Sequence, residues 1–375
     1  MSAEREGTTN RFPGPRDPPE AVHEVSIPEA DVKGWLVVDR LVGGMAFGGF
    51  RISPHVTREE VCGLARAMSW KLGCHGSPVG GTKGGLVADP NDEKTPERLA
   101  LFARACAAPL GTSVIVGKDM GATDALLDGL YGSLGHGQLA VARRVHGGAA
   151  VPERLRDLVG YRRHMTGLGV AWAARAAMGG DLRGCRLGIQ GWGLVGVGTA
   201  HRAGGLGARV MALSDAHGCL LPAAGITPGD LVEGTHVKGV LPADVQGTRE
   251  AREVLFEAEM DVLVLAASSH SVGLEDAERI RASVVVEGSN FGLTPEARSH
   301  LHQRGIPVVP DVVASSSSAA MVARQLAAAN HLTSEALWEA IEAAITRGTS
   351  ETLRISRETG MEPREAYLAW LREPS

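Results

Sequence analysis

The stretch Cys185–Gly218, "CRLGIQGWGLVGVGTAHRAGGLGARVMALSDAHG", constrains the fold more than any other part of the chain. It reads as strand, glycine turn, helix, strand, with Gly191, Gly193 and Gly196 in G-x-G-x-x-G spacing between the first strand and the helix. Glycines there permit a sharp turn, leave backbone N–H groups bare at a helix N-terminus and let helix and strand pack closely, a setting that suits a pyrophosphate. Asp215 ends the second strand, close to the separation of about 20 residues expected of an acid that accepts hydrogen bonds from ribose hydroxyls. Alone the glycine spacing says little. In this setting it predicts a dinucleotide-binding domain, with Gly191, Gly193, Leu194, Val195, Gly196 and Asp215 at the cofactor and Ala267 beside it. Asp215 repels a 2′-phosphate and favours NAD, while Ser214 and His217 in "SDAHG" leave NADP possible.

A chain of 375 residues has room for a second domain. Hydrophobic content of 44% and charge of 22% describe an ordinary globular protein. A net charge of −5 offers no basic excess for nucleic acid, and 4% aromatics leave little for base stacking. The five cysteines form no CxxC pair, so reduced thiols in a cytoplasmic protein are expected rather than disulfides or a metal site. No apolar run reaches membrane-span length, and the polar, proline-bearing residues 1–21 lack the core of a signal peptide and read as a flexible arm.

Further strands, "MDVLVLAA", "SVVVEGS" and "IPVVPDVV", alternate with helical segments and continue a parallel sheet. In the first half, "VKGWLVVDRLVGG" and "MAFGGFRIS" suggest a strand and its partner across a glycine turn. "TREEVCGLARAMSWKLG" predicts a helix capped by Thr57, with Glu60 completing a capping box and Lys71 at its far end. "TPERLALFARACAAPLG" predicts another helix, and Thr166 opens a long apolar one. "SVIVGKDMGATD" predicts a short strand, Ser113–Val116, that delivers Asp119 to a turn. The expected architecture is α/β in two domains with a cleft between them. A substrate-binding and oligomerisation domain takes residues 22–160, with helical residues 335–375 returning to it, and a Rossmann-type domain takes 161–334.

In "SPVGGTKGGLVADP" a single lysine, Lys83, stands between two glycine pairs. Two readings are open: a loop that cradles phosphate, or backbone that something approaches closely while Lys83 reaches the same object. The phosphate site already belongs to Gly191–Gly196, so the glycines are expected to let substrate and nicotinamide press against the loop.

The succession Arg51, "RAMSWK", "GGTKGG", "GKDMGAT", "TGLGV", "GWGLVG", "SDAHG", "VVEGSN", "VVPDVV" resembles the glutamate/leucine/phenylalanine/valine dehydrogenase superfamily, from about Ala30 to the C-terminus. The resemblance implies NAD(P)-dependent, reversible oxidative deamination of an amino acid to its 2-oxo acid and ammonia by a homo-oligomer. It implies that Lys83 is the catalytic lysine, working close to neutrality beside a second cation. Lys71 then pairs with the substrate α-carboxylate, Asp119 shuttles protons and balances the iminium charge, Asn290 lies beside the substrate carboxylate and the nicotinamide, and Thr166 faces the cofactor.

The side-chain pocket implied by the resemblance holds Phe47, Gly48, Ala319 and Val322. Glutamate enzymes of the superfamily place a lysine where this chain has Phe47 and a serine where it has Val322. Burying a distal carboxylate against Phe and Val would cost about 2–3 kcal/mol or more, so an apolar Leu-, Val- or Phe-like substrate is expected. Two departures stand out. Ser315–Ser318 replaces an asparagine–alanine–glycine–glycine turn, and Leu265 stands where a proline is usual. The serines could hydrogen-bond a polar substituent or cap the helix that begins near Ala319. His270 reads as a satisfied loop histidine. The departures keep two alternatives open: a specialised enzyme for a non-standard amino or imino acid in secondary metabolism, and a nucleotide-sensing relative without turnover. The retained Lys71, Lys83, Asp119 and Asn290 speak against the second.

Overall fold

The structure, a computed structural model, describes residues 14, 17–145, 152, 154–158, 164–226, 239–241, 245–327 and 333–373. The expected boundary at 160/161 and most of the expected arm lie outside the described residues. The last part of that arm is docked: Arg66 donates to the carbonyls of Gly14 and, at 2.6 Å, of Asp17.

Five strands from the first third of the chain form one sheet: β1 (Ala21–Ile27), β2 (Val32–Val38), β3 (Ala46–Ile52), β4 (Gly80–Leu86) and β5 (Val114–Lys118). Their order is β1-β2-β4-β3-β5. β2 runs antiparallel to β1 and β4, while β3 runs parallel to β4 and β5. Two expectations are corrected here. β3 does not pair with β2, and the glycine–lysine segment is no loop but β4, the central strand, buried along its whole length.

Strand alternation divides this sheet between two layers. Trp35 and Val37 face α1 (Arg58–Gly73), packing with Val61 and Ala65. Leu36 and Val38 face the opposite side, against Leu99 and Phe102 of α2 (Thr95–Ala105) and Leu127 and Leu130 of α4 (Asp124–Gly132). The helix read through "ACAAPLG" is interrupted at Cys106, and α3 (Ala107–Thr112) restarts with Pro109 in its first turn, where a missing N–H costs little. The Thr57 hydroxyl caps α1 by accepting from Glu60 N at 3.2 Å. The Glu60 carboxylate does not complete the box; it pairs with Arg51. A short α5 (Ala140–Val145) follows.

The second sheet has the order β12-β11-β10-β6-β7-β8-β9. Its strands are β6 (Arg186–Gln190), β7 (Arg209–Ser214), β8 (Cys219–Pro222), β9 (Gly247–Glu250), β10 (Met260–Leu265), β11 (Ala282–Glu287) and β12 (Val308–Val309). β12 to β7 are parallel, as expected, and buried as runs of Val, Ile and Leu. β8 and β9, four residues each, add an antiparallel edge too short for the sequence to announce. One face carries α6 (Met165–Ala177) and α7 (Leu194–Gly205); the other carries α8 (Val254–Glu257), α9 (Leu274–Arg279) and α10 (Pro295–Gln303).

After β12 come α11 (Asp311–Ala314), α12 (Ser317–Ala327), α13 (Ser334–Thr359) and α14 (Pro363–Arg372). Leu337, Trp338 and Ile341 of α13 share a core with α6, and Tyr367 of α14 donates to the Trp70 carbonyl of α1 at 2.5 Å. The strand order reverses between β6 and β10, so a crevice opens beyond their C-terminal ends, where open α/β sheets bind ligands.

Candidate active site

Lys83 sits at the middle of β4, on the face covered by α1. Gly81 and Gly85, two residues to either side, share that face. A Cβ on Gly81 would lie 2.3 Å from Ser69 N, and one on Gly85 would lie 2.6 Å from a Val61 methyl. The glycines therefore let α1 lie directly on the strand. This corrects the expectation that substrate and nicotinamide press there. The close neighbour is the helix that carries Lys71.

The result is a cavity of about 340 Å³ between the two sheets. Lys83 Nζ is 2.5 Å from Asp119 Oδ2. Burial alone would raise the Asp119 pKa, but Lys83 and Arg51 hold it well below the ordinary carboxylate range. Lys71, buried at the end of α1, donates from Nζ to Asn290 Oδ1 at 2.6 Å across the cleft. Burial, opposed by Asp311 and reinforced by Lys83, lowers the Lys71 pKa to about 8. Phe47, Ala319, Thr166, Val195 and Ala267 also line the cavity.

Gly48 does not. Phe47, Gly49 and Arg51 alternate onto the cavity face of β3, and all three line the cavity, so Gly48 points away into Thr82 of the neighbouring strand. Val322 lies behind the wall, in one apolar cluster with Phe47 and Ala319. Arg51 went unassigned in the sequence reading, yet its Nε is 3.3 Å from Asp119 Oδ2. Its place two residues beyond Gly49 on a strand was the available signal. Met68, Lys118, Ser289, Ser315 and Ser318 also join the wall.

The serine run is tied to carbonyls rather than to helix N–H groups. The hydroxyls of Ser315, Ser316 and Ser317 donate to Asp311 O at 2.8 Å, Val313 O at 2.7 Å and Met165 O at 2.7 Å. His75 Nε2 meets Ser316 Oγ at 2.8 Å, and burial, with Arg324 and Arg347, lowers the His75 pKa to about 3, so this imidazole is neutral. His270 is a loop residue whose backbone N–H donates to Phe291 O at 2.6 Å.

The fingerprint glycines divide their tasks. Gly191 turns at φ +92° where a Cβ would lie 2.6 Å from the Ala266 carbonyl oxygen, and a Cβ on Gly196 would lie 2.0 Å from Gly191 O. A Cβ on Gly193 would meet nothing within 4 Å, leaving open space before the N-terminus of α7. That arrangement fits a dinucleotide pyrophosphate. Asp215 accepts from the N–H groups of His217 (2.7 Å), Gly218 (3.0 Å) and Leu241 (3.0 Å). Roughly one of about four acceptor positions is then left for a ribose hydroxyl.

Two family models match the chain: the Glutamate/Leucine/Phenylalanine/Valine dehydrogenase domain over residues 159–369 and the Glu/Leu/Phe/Val dehydrogenase dimerisation domain over 19–130. The chain belongs to this family. It is an amino acid dehydrogenase, an NAD(P)-dependent oxidoreductase acting on a CH–NH2 group. Glutamate dehydrogenase of Thermotoga maritima is 34% identical over 297 residues, covering 75% of this chain and 69% of that protein. The NADP-specific glutamate dehydrogenase of Saccharolobus shibatae is 31% identical over 294 residues, covering 75% of this chain and 68% of that protein. Among solved structures, the hetero-hexameric glutamate dehydrogenase of Thermus thermophilus in its Leu-bound form superimposes with a TM-score of 0.76 at 27% identity, covering 94% of this chain and 88% of that one. No helix among the described residues is long and apolar enough to cross a membrane.

Proposed function

We propose that this dehydrogenase oxidatively deaminates L-amino acids with apolar side chains, of the Leu, Val or Phe kind, using NAD. The observation that carries this is the pocket wall. Phe47 and Ala319 on the wall, 7% exposed each, form one apolar cluster with Val322 behind it, and among the described residues each cation on the cavity wall has a partner. Lys71 holds Asn290, Lys83 holds Asp119, Arg51 holds Glu60 and Asp119, and Lys118 holds Asp124. Among the described residues, a distal carboxylate entering this pocket meets no free buried cation.

Within that site, Lys71 and Asn290 bind the α-carboxylate and fix the Cα. Lys83 holds the attacking water and passes its proton to Asp119, which also offsets the positive charge that develops on the substrate nitrogen. Bound across Gly191–Gly196, the dinucleotide supplies the hydride acceptor. Thr166, Val195 and Ala267 line the cavity and would confine its nicotinamide end. The remaining acceptor capacity of Asp215 supports NAD over NADP. Five free cysteines support a cytoplasmic setting, and the match to the dimerisation domain supports a homo-oligomer.

A second reading, glutamate, draws on the relatives' names and on Lys118, which stands at the cavity wall and is 42% exposed. Two variants separate them. Phe47→Lys with Val322→Ser is expected to move preference towards glutamate at least tenfold in kcat/KM, and Lys118→Met is expected to leave leucine turnover unchanged. A wild type that favours glutamate and loses it on Lys118→Met would establish the second reading instead.

A further inference from the structure

Behind the Lys71–Asn290 contact lies a buried ionic cluster that the mechanism above does not use. Asp311, at the start of α11, is fully buried and accepts from Phe291 N through Oδ2 at 3.3 Å. Its Oδ1 accepts from Nη2 of Arg364 on α14. The same Nη2 is 3.1 Å from Glu287 Oε2, and Arg298 holds the other Glu287 oxygen at 3.1 Å. The Arg364 guanidinium also lies over the Phe291 ring, 5.2 Å from its centroid.

Two residues of this region are strained, Phe291 and His270, whose N–H donates to the Phe291 carbonyl and whose φ is also +51°; Phe291 is the one next to Asn290. Its φ is +51°, a left-handed conformation that a bulky side chain keeps only where its surroundings impose it. Its N–H is held by Asp311 and its carbonyl by His270 N, and Asn290 immediately precedes it. A small rotation at Phe291 would carry the Asn290 amide off Lys71.

We propose that Arg364 is a positioning residue for the carboxylate-binding pair: it anchors Asp311, whose carboxylate holds the left-handed Phe291 turn and so keeps Asn290 Oδ1 on Lys71. The inference rests on Lys71 and Asn290 being that pair. Without the guanidinium, Asp311 is a buried anion that has lost its main partner. It then turns to Lys71, the remaining cation beside it, and in turning releases Phe291 N.

The test uses the full-length enzyme with 4-methyl-2-oxopentanoate and, separately, 2-oxoglutarate, each with NADH and saturating ammonia. Arg364→Met is expected to raise the KM of whichever acid the wild type uses at least tenfold, with a smaller fall in kcat and unchanged NADH binding; Arg364→Lys recovers part of the loss. The charged groups facing Lys71 are Asp311, Lys83, Asp119 and Arg364. Removing the Arg364 cation therefore moves the alkaline limb of kcat/KM to higher pH, and Asp311→Asn moves it to lower pH. A role confined to packing would not move the limb in opposite directions. An unchanged KM in Arg364→Met overturns the proposal. So does a crystal structure of that variant with Phe291 still left-handed and Asn290 still on Lys71, and this readout decides the matter if neither acid is a substrate. A wild type that prefers 2-oxoglutarate counts against the apolar pocket, and the KM of that acid then tests Arg364.

Discussion

Replacing Lys71 with methionine is expected to stabilise the protein while abolishing its activity. Methionine keeps the unbranched stem in place but removes a charge that is 7% exposed. Burial, resisted by Asp311 and helped by Lys83, brings the Lys71 pKa from its ordinary 10.5 to about 8. At 1.36 kcal/mol per pH unit that gap is worth about 3 kcal/mol against the folded state at neutral pH, where the lysine is charged both folded and unfolded. Asn290 loses a donor in the variant and Asp311 a neighbouring cation, so the net gain is expected at about 1–3 kcal/mol. The sign with pH follows from proton counts. Between about 8 and 10.5 the unfolded chain binds this proton and the folded one does not, so wild-type stability rises with pH across that window. The methionine variant lacks this rise. Urea unfolding of both proteins at neutral pH and near the top of the window, at matched protein concentration, measures the two differences. A variant no more stable than wild type at neutral pH, or a gap that does not narrow on going alkaline, would refute the reasoning.

Lys83→Ala is expected to lower kcat at least a thousandfold while NADH fluorescence titration shows cofactor binding within twofold of wild type; turnover retained in that variant would remove Lys83 from the chemistry. Gly81→Ala drives a methyl to within 2.3 Å of Ser69 N on α1, and is expected to cost about 1–3 kcal/mol. Because Lys71 rides on the same helix, substrate KM should rise as well. Thermal unfolding and steady-state kinetics check the pair of effects, and an unchanged melting temperature would mean that α1 does not rest on the strand.

The dinucleotide half was legible because its signals are local. A short β-strand carrying Leu187 and Ile189, three glycines and a helix follow one another within a few residues, and the structure places them so. Lys71, Lys83, Asp119 and Asn290 were legible as residues, yet their meeting was not, since Lys71 and Asn290 are 219 positions apart. β4 was read as a loop because glycine is a poor strand former. Its glycines answer to the helix above them, which local propensity does not record. The misplacement of Gly48 has a simpler cause: once Phe47 is on a strand and faces the cavity, period two selects Gly49 and Arg51. Glu60 stood three residues after Thr57 and fitted a capping box, but a buried arginine nearby offers a carboxylate more than a backbone N–H does. Asp311 and Arg364, 53 residues apart on separate elements, left no sequence signal of their pairing.

The most direct test of the substrate assignment is a comparison of kcat/KM for L-leucine, L-valine, L-phenylalanine and L-glutamate with the wild-type enzyme and NAD, followed by the absorbance of reduced nicotinamide. The apolar wall of Phe47 and Ala319, backed by Val322, predicts that one of the first three exceeds glutamate by at least a hundredfold. Glutamate oxidised as well as or better than all three would contradict it.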